Sequence, residues 1–462
     1  MERNRLWAAL AELPFRRAFG PSVLLLAIAA QAALYEGGFR PIPTIASGYA
    51  VSTALGLLHG EGLTVVPAEA EDVRRGVGRW DDLRALHRAG EARGPAHEPL
   101  PAVSLLFAAL AMVTGGLRLG VVVYAQIVLH GLGAWWLAAE LRHRSAVAAV
   151  CAGAGWALFL PEYRSTLTPG YDSLPSLVYI AATVALLRWS RLGGAATLLA
   201  AGAACGAGLW VRDYLFVLPF VLAAGLAALR RPSFAGVAAP IAALAGIAAF
   251  AAPIAVLALA LASARAPETG ATHRMIRGGV WHTFWAGVGQ FENDRGLVAE
   301  DESVRDFAGR LAPDEDFRVP NYQYLAAYDR VLGEEGRRFV AEEAPRLFRN
   351  AVYRAGWLLF PSFAPSKQIA AGAGRWILVG AGVPISFAAL AGVWLLGRRD
   401  PFAAWVLAAP VLSLLPLAPF YFIAKVPIGA FFVQLAFAGV ALERALAGAQ
   451  RPAPERIESA SA

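Results

Sequence analysis

The sequence predicts an all-α polytopic membrane protein, a bundle of about ten transmembrane helices with two outer loop regions containing amphipathic helices. Composition is the first observation behind that expectation. The chain of 462 residues is 57% hydrophobic and 16% charged, with a mean hydropathy of +0.51, whereas a soluble domain carries roughly 45–50% apolar and about 25% charged residues. The second is that the apolar residues fall in blocks close to the roughly 20 residues that cross a bilayer as helix. The third is that arginines collect at alternate ends of those blocks, the pattern of topology rather than of a nucleic-acid surface, despite the net charge of +7.

In chain order the predicted spans are 18–36, 119–141, 146–161, 173–190, 194–210, 214–230, 236–262, 373–396, 402–420 and 426–446. Arg3, Arg5, Arg16 and Arg17 precede the first, and Ala30-Gln31-Ala32 within it could be read as a signal-peptidase site. The many spans that follow favour an uncleaved first helix. Pro240 and Pro253 predict a kink in the 236–262 block. With the first helix running inside to outside, the inner short segments hold Arg3, Arg5, Arg16, Arg17, Arg142, Arg144, Arg188, Arg191, Arg230, Arg231, Arg398, Arg399, Arg444, Arg451 and Arg456. The outer short loops hold only Arg164, Arg212 and Lys425. By the positive-inside rule both termini are then cytoplasmic.

This divides the chain into an N-terminal transmembrane module, 1–262, that includes an outer loop at 37–118, then an outer helical segment at 263–372, C-terminal transmembrane helices at 373–448 and a polar tail at 449–462. Leu100–Val113 is apolar but short, which suits a helix lying along the membrane surface or re-entering it. Over Tyr322–Phe360, Tyr324, Tyr328, Phe339, Leu347 and Phe348 alternate with Arg and Glu at helical spacing, and Glu342-Glu343-Ala344-Pro345 reads as a helix start. The tail reads as disordered. Cys151 and Cys205 each lie inside an Ala/Gly-rich block and read as buried thiols.

Charged groups in a bilayer centre cost at least roughly 2.5–3.5 kcal/mol and usually mark a transport path. Only His130 falls near the middle of a predicted span, and it reads as a neutral, hydrogen-bonded imidazole. The other candidates, Glu36, Glu98, Asp172, Arg212, Asp213 and Lys425, fall at outer span ends or in outer loops. That distribution suits a site at the outer membrane face, open to a lipid-borne substrate, and argues against an ion-coupled transporter or flippase.

Several local motifs point the same way. Ser47-Gly48-Tyr49-Ala50 leads into Ala54-Leu55, Gly60 and Gly62. His97-Glu98-Pro99-Leu100 precedes the short apolar helix, and Leu141-Arg142-His143-Arg144 ends a span. Pro161-Glu162-Tyr163 is followed by Pro169-Gly170-Tyr171-Asp172-Ser173-Leu174. Gly202, Gly206 and Gly208 precede Leu209-Trp210-Val211-Arg212 and then Pro219, and Phe420-Tyr421-Phe422-Ile423-Ala424-Lys425-Val426-Pro427 comes near the end. Together with the layout these resemble the GT-C superfamily of membrane glycosyltransferases, of the protein-mannosyltransferase and aminoarabinose-transferase kind. Trp281 to Phe291 resembles a segment of uncharacterised bacterial members. The resemblance covers most of the chain through short, degenerate motifs. It implies an inverting enzyme in the bacterial inner membrane that takes a sugar from a polyprenyl-phosphate donor to a glycan, lipid or protein acceptor of the cell envelope. Nucleic acid is not among the implied partners. One departure stands out. The family's catalytic carboxylate precedes the Tyr of the first outer loop, and here Ser47 and Gly48 occupy that place. Either another carboxylate serves, or the protein is a non-catalytic relative that binds lipid-linked sugar or acts as a scaffold.

In that chemistry a carboxylate accepts the acceptor's proton, and cations from Arg, Lys, His or a divalent metal stabilise the departing phosphate. Asp172, opening a helix at the outer face, is the expected base, with a helix cap as the plain alternative. Glu36 is the second carboxylate. Arg212 and Lys425 are the expected phosphate cations, unless they simply snorkel to the interface. His97 could bind phosphate or a metal. Tyr49 belongs to the first-loop motif, and Trp281, His282 and Trp285 could line a sugar site or anchor a helix at the interface. No cofactor is otherwise implied. The acidic run Asp301, Glu302, Asp306, Asp314, Glu315 and Asp316 matches no Ca²⁺ loop and reads as solvated surface.

Overall fold

The computed structural model describes residues 12–13, 17–39, 45–76, 81–91, 94–95, 101–170, 173–229, 238–265, 280–318, 325–361, 380–420 and 428–449. Helices lie at each predicted span, close to the expected limits in the first spans and less so in the last three. There one begins at Gly382 against an expected 373, one ends at Leu412 against 420 and one begins at Phe432 against 426, with 373–379 and 426–427 outside the described residues. The helices are α1 (Phe19–Glu36), then α5 (Leu119–Leu141), α6 (Ala146–Ala157), α8 (Leu174–Leu192), α9 (Ala195–Val211), α10 (Leu218–Leu229) and α11 (Ala238–Arg265), and finally α15 (Gly382–Arg399), α16 (Pro401–Leu412) and α17 (Phe432–Ala449). Three segments, Phe19–Glu36, Leu119–Leu141 and Ala146–Tyr163, are helical, long and apolar enough to cross a membrane. Among the shorter apolar helices, α9 packs against α8 and α11, and α16 packs against α10 and α15.

Between α1 and α5 the chain forms α2 (Ile45–Leu58), the strand β1 (Thr64–Val65), α3 (Pro67–Arg74), a 3₁₀ turn (Leu83–Leu86), the strand β2 (Gly94–Pro95) and α4 (Pro101–Thr114). The two strands pair antiparallel, Thr64 opposite Pro95 and Val65 opposite Gly94. At 1.5 Å per residue, the 14 residues of α4 reach about 21 Å, short of the roughly 30 Å hydrocarbon core. Phe107 and Ala111 face inward while Met112 and Val113 face out. A short α7 (Leu160–Leu167) links α6 to α8.

Small residues set the helix spacing. A Cβ on Gly202 would meet the Phe250 carbonyl, and one on Gly206 would meet the Pro253 carbonyl, so α9 and α11 lie backbone to backbone. The Gly-rich motif before Arg212 is therefore a packing device. Pro240 falls in the first turn of α11, where its missing N–H costs little, and α11 continues through Pro253 as one helix.

The bundle's two ends differ. α1 and α5 run antiparallel, so the Tyr124 hydroxyl near the start of α5 donates to Glu36 at the end of α1. At the other end of α5, buried Glu140 accepts from Arg191 at 3.0 and 3.2 Å and from Arg144 at 3.2 Å. Arg144 also donates to the Leu187 carbonyl and Ser190, and stands 3.5 Å from Asp400 between α15 and α16. The arginines that sorted together by charge thus bind three connections into one ionic knot.

A second core stands apart from the bundle. Phe284 and Trp285 on α12 (Val280–Val288), Val304 and Phe307 on α13 (Asp301–Leu311), and Tyr328, Leu332 and Phe339 on α14 (Ala326–Leu359) pack together. Glu342-Glu343-Ala344-Pro345, expected to open a helix, lies within α14. The signal survives as a kink, with Glu343 at φ −113° and ψ 21°. The chain resumes helix at once, because the acidic turn and Pro345 suit a helix N-terminus.

Candidate functional site

The polar groups of the bundle gather at the Glu36 end. α2 brings Ser47 against the link between α7 and α8, where its hydroxyl donates to the Pro169 carbonyl. From α5, Gln126 reaches the same link. Its amide nitrogen donates to Ser173 at 2.7 Å and to the Thr168 carbonyl at 3.2 Å, while its oxygen accepts the Gly170 N–H at 3.3 Å. Glu162 on α7 is fully buried and accepts from the Ser176 hydroxyl at 2.7 Å. Gln126, Ser173 and Ser176 also line a cavity with His130 and Trp156, which has room for about one water molecule. His130 Nε2 lies 3.2 Å from the Trp156 carbonyl. A carbonyl only accepts, so this nitrogen carries the proton and Nδ1 is the acceptor.

Several expected residues lie toward this end of the bundle, and others lie outside the described residues. Glu36 and half-buried Tyr49 belong to this end of the bundle. So does Arg212: α8 and α9 form an antiparallel hairpin through Gly193-Gly194, which puts the half-buried Arg212 at the end of α9 level with the start of α8. Asp172, His97, Glu98 and Lys425 lie outside the described residues. The chain on both sides of Asp172 is held nonetheless, with Gly170 and Ser173 both bonded to Gln126.

The missing first-loop acid has a structural counterpart. A Cβ on Gly48 would fall inside van der Waals contact of the Ala70 backbone, where α2 crosses α3. Even alanine is crowded there, and a carboxylate more so. The loop beyond is fixed by buried Glu69. It accepts from Ser52 at 2.5 Å and from the Arg88 N–H at 2.9 Å, and stands 3.5 Å from His87, whose ring stacks on His59 at 3.8 Å.

Trp281, His282 and Trp285 stand in the second core instead. Trp285 is fully buried, packs against Phe307 and Phe339 and donates its indole N–H to the Leu332 carbonyl at 3.0 Å. Its faces are covered by protein and offer no stacking surface to a sugar. Trp281 lies over Gly333 and Gly336 of α14. His282 joins three helices. Its Nε2–H donates to Asp301 at 3.1 Å and its Nδ1 is hydrogen-bonded to the Tyr328 hydroxyl at 2.8 Å. The hydrogen bond from His282 holds the Asp301 carboxyl below its ordinary range.

Two residues gain importance only in the structure. Glu162 reads in sequence as part of a polar link, yet it is the buried carboxylate beside the cavity. Arg354 is fully buried on α14. It donates to the carbonyls of Gly287 (2.5 Å), Ala418 (3.1 Å) and Pro419 (3.2 Å) and to Gln290 (3.1 Å), and it lies over the Phe291 ring. Burial pushes its pKa down to about 10, which leaves it charged at neutral pH. It clamps the second core onto the chain end that precedes Tyr421. Among the described residues, no three His, Cys, Asp or Glu side chains come together as a metal site.

No protein-family model and no curated protein matches the sequence. Among solved structures the chain is similar to ArnT from Cupriavidus metallidurans, in a crystal structure bound to undecaprenyl phosphate. The identity is 14%, the match covers 95% of this chain and 81% of that one, and the TM-score is 0.38. A likeness of that size bears on neither activity nor substrate.

Proposed function

We propose that this protein is an inverting, GT-C-type glycosyltransferase that moves a sugar from a polyprenyl-phosphate carrier to an acceptor at the outer face of the inner membrane. The observation that carries the reading is that Glu36, the first-loop helix with Ser47 and Tyr49, the Gln126–Ser173 bond and Arg212 all lie toward one end of the bundle. The opposite end carries the arginine knot at Glu140, which the positive-inside rule assigns to the cytoplasm.

The carrier's phosphate stays with the headgroups while its tail stays in lipid, so the reaction belongs at a bundle end. Asp172 takes the proton of the acceptor hydroxyl as that oxygen attacks the anomeric carbon. The bond from anomeric carbon to phosphate oxygen breaks with inversion, and the electron pair leaves with the polyprenyl phosphate. Arg212 and Lys425 offset the charge that develops there, with His97 or a divalent metal able to share that load. Glu36 is the second carboxylate at the same end, and Tyr49 is the substrate-binding candidate of the first-loop helix. Alanine at Asp172 lowers transfer by about 10²-fold or more on this account, with expression and lipid-sugar binding retained. An unchanged rate excludes that role.

A second reading, a non-catalytic relative that binds lipid-linked sugar or serves as a scaffold, draws on the Gly48 packing, which crowds out a side chain at that one of the two positions. The same variant separates the two, since a scaffold has no turnover to lose.

A further inference from the structure

The helix α14 exposes two different chemistries on either side of its kink. Before Glu343 its solvent-facing residues include Arg330, Glu334, Arg337, Arg338 and Glu342. After it, the outward face presents Phe348 (73% exposed), Val352 (55%) and Tyr353 (55%), with Arg349 between them. The spacing of four from Phe348 to Val352, with Tyr353 alongside, makes this a continuous stripe one side of a helix wide. The opposite face is fixed. Asn350, Arg354 and Leu358 are buried, and the Arg354 guanidinium, tied to the carbonyls of Gly287, Ala418 and Pro419, sets the helix's rotation. Farther along, the Leu359 carbonyl accepts from Gln434 of α17 at 2.7 Å. The second half of α14 is therefore anchored beside the end of α16 and the start of α17, with its apolar stripe held outward.

From this geometry we infer that residues 344–359 lie in the headgroup region of a phospholipid bilayer. Phe348, Val352 and Tyr353 dip into the acyl boundary, Arg349 meets lipid phosphates, and the kink at Glu343 marks the crossing from water to lipid. The first half of the helix belongs with the second core and exposes mainly charged side chains, with Val340 (40% exposed) the apolar exception. The second half is continuous with the apolar bundle through Arg354 and Gln434, and interfacial helices bury their apolar face by roughly 5–10 Å. A basic residue among apolar ones suits an anionic surface. A second copy of the chain is the poorer partner, because three side chains fall well short of the roughly 800 Å² per partner of a stable interface. The inference does not depend on the transferase reading.

Single cysteines at Phe348, Val352, Glu334 and Arg338, in a Cys151→Ala, Cys205→Ala background, can carry an environment-sensitive fluorophore. The labelled protein is placed in nanodiscs of phosphatidylglycerol and phosphatidylethanolamine. Labels at 348 and 352 are expected to emit at shorter wavelength, to be quenched by doxyl-labelled lipid and to be shielded from aqueous iodide. Labels at 334 and 338 are expected to show the reverse. Iodide quenching of all four without lipid quenching overturns the inference. So does shielding at 348 and 352 that lipid quenchers do not reach and that appears only with two copies per disc, which assigns the stripe to self-association.

Discussion

At the scale of single residues, the chain spends its buried charges unevenly. Glu140 is matched by Arg144 and Arg191, so its burial is offset by short, charge-assisted bonds. Arg354 instead meets neutral acceptors, chiefly backbone carbonyls, and its role is to bind one chain segment to another. Gly48 is the residue most telling about chemistry, since the space a side chain needs is already filled by Ala70. Gly48→Asp, which puts an acid into the first-loop motif, should lower thermal stability by about 1–3 kcal/mol through overpacking. A variant as stable as the parent would show that α2 and α3 can separate, and would reopen that position for catalysis.

None of this burial was legible from sequence. Arg354 looks like Arg346 or Arg349 along the chain, and only the fold distinguishes the one that meets Ala418. Glu162 depends on Ser176, which lies on the next helix, a contact between elements that periodicity within one helix does not reveal. Trp281 and Trp285, four apart, form a pattern that a core helix and a sugar-binding face share. Here Trp285 is spent on packing.

Elements were far more legible, because span length and apolar run length are nearly the same quantity. The limits of α1 and α5 fall within a residue of the predicted blocks. The kink in α14 reads in sequence as a helix start for a physical reason: an acidic turn followed by Pro favours the beginning of a helix, but does not require the preceding one to end. The loop before α5 shows a different kind of order. Asp82 accepts the N–H groups of Arg84 and Leu117 and the Arg84 side chain, and the Leu83 N–H donates to the Leu117 carbonyl at 2.7 Å. Partial burial works to raise the Asp82 pKa, but the bonds from Arg84 and Leu117 and the Arg84 charge outweigh it and hold it at about 2, against an ordinary 3.8. A carboxyl whose folded pKa is depressed stabilises the fold above its unfolded value, and the benefit is lost as pH falls through the folded one. Pepsin cleavage between residues 83 and 117 should therefore rise as pH drops from about 3.8 to about 2. Asp82→Asn should remove most of that dependence, and an identical profile in the variant would assign the transition to other groups.

At the scale of the whole molecule, two ends with different chemistry follow from antiparallel packing of helices whose charges alternate. The arginines converge because each terminates a helix that runs toward the same side, and the Glu140 network shows them bonded rather than merely level. The polar end arises in the same way, from the starts of α5 and α8 and the ends of α1 and α9. Sequence could supply that sorting, but not which side chains on facing helices touch. The bonds from Gln126 to the chain around Asp172 required coordinates.

The claim on which the functional account turns is that this polar end takes the phosphate of a polyprenyl carrier. Binding of undecaprenyl phosphate to the purified protein, compared with undecaprenol, measures it directly. The account predicts saturable binding that the phosphate-free alcohol does not match, weakened about tenfold or more by Arg212→Ala and by Lys425→Ala, as loss of one charge-assisted bond implies. Equal affinity for the alcohol, or variants that bind like the parent, would contradict it.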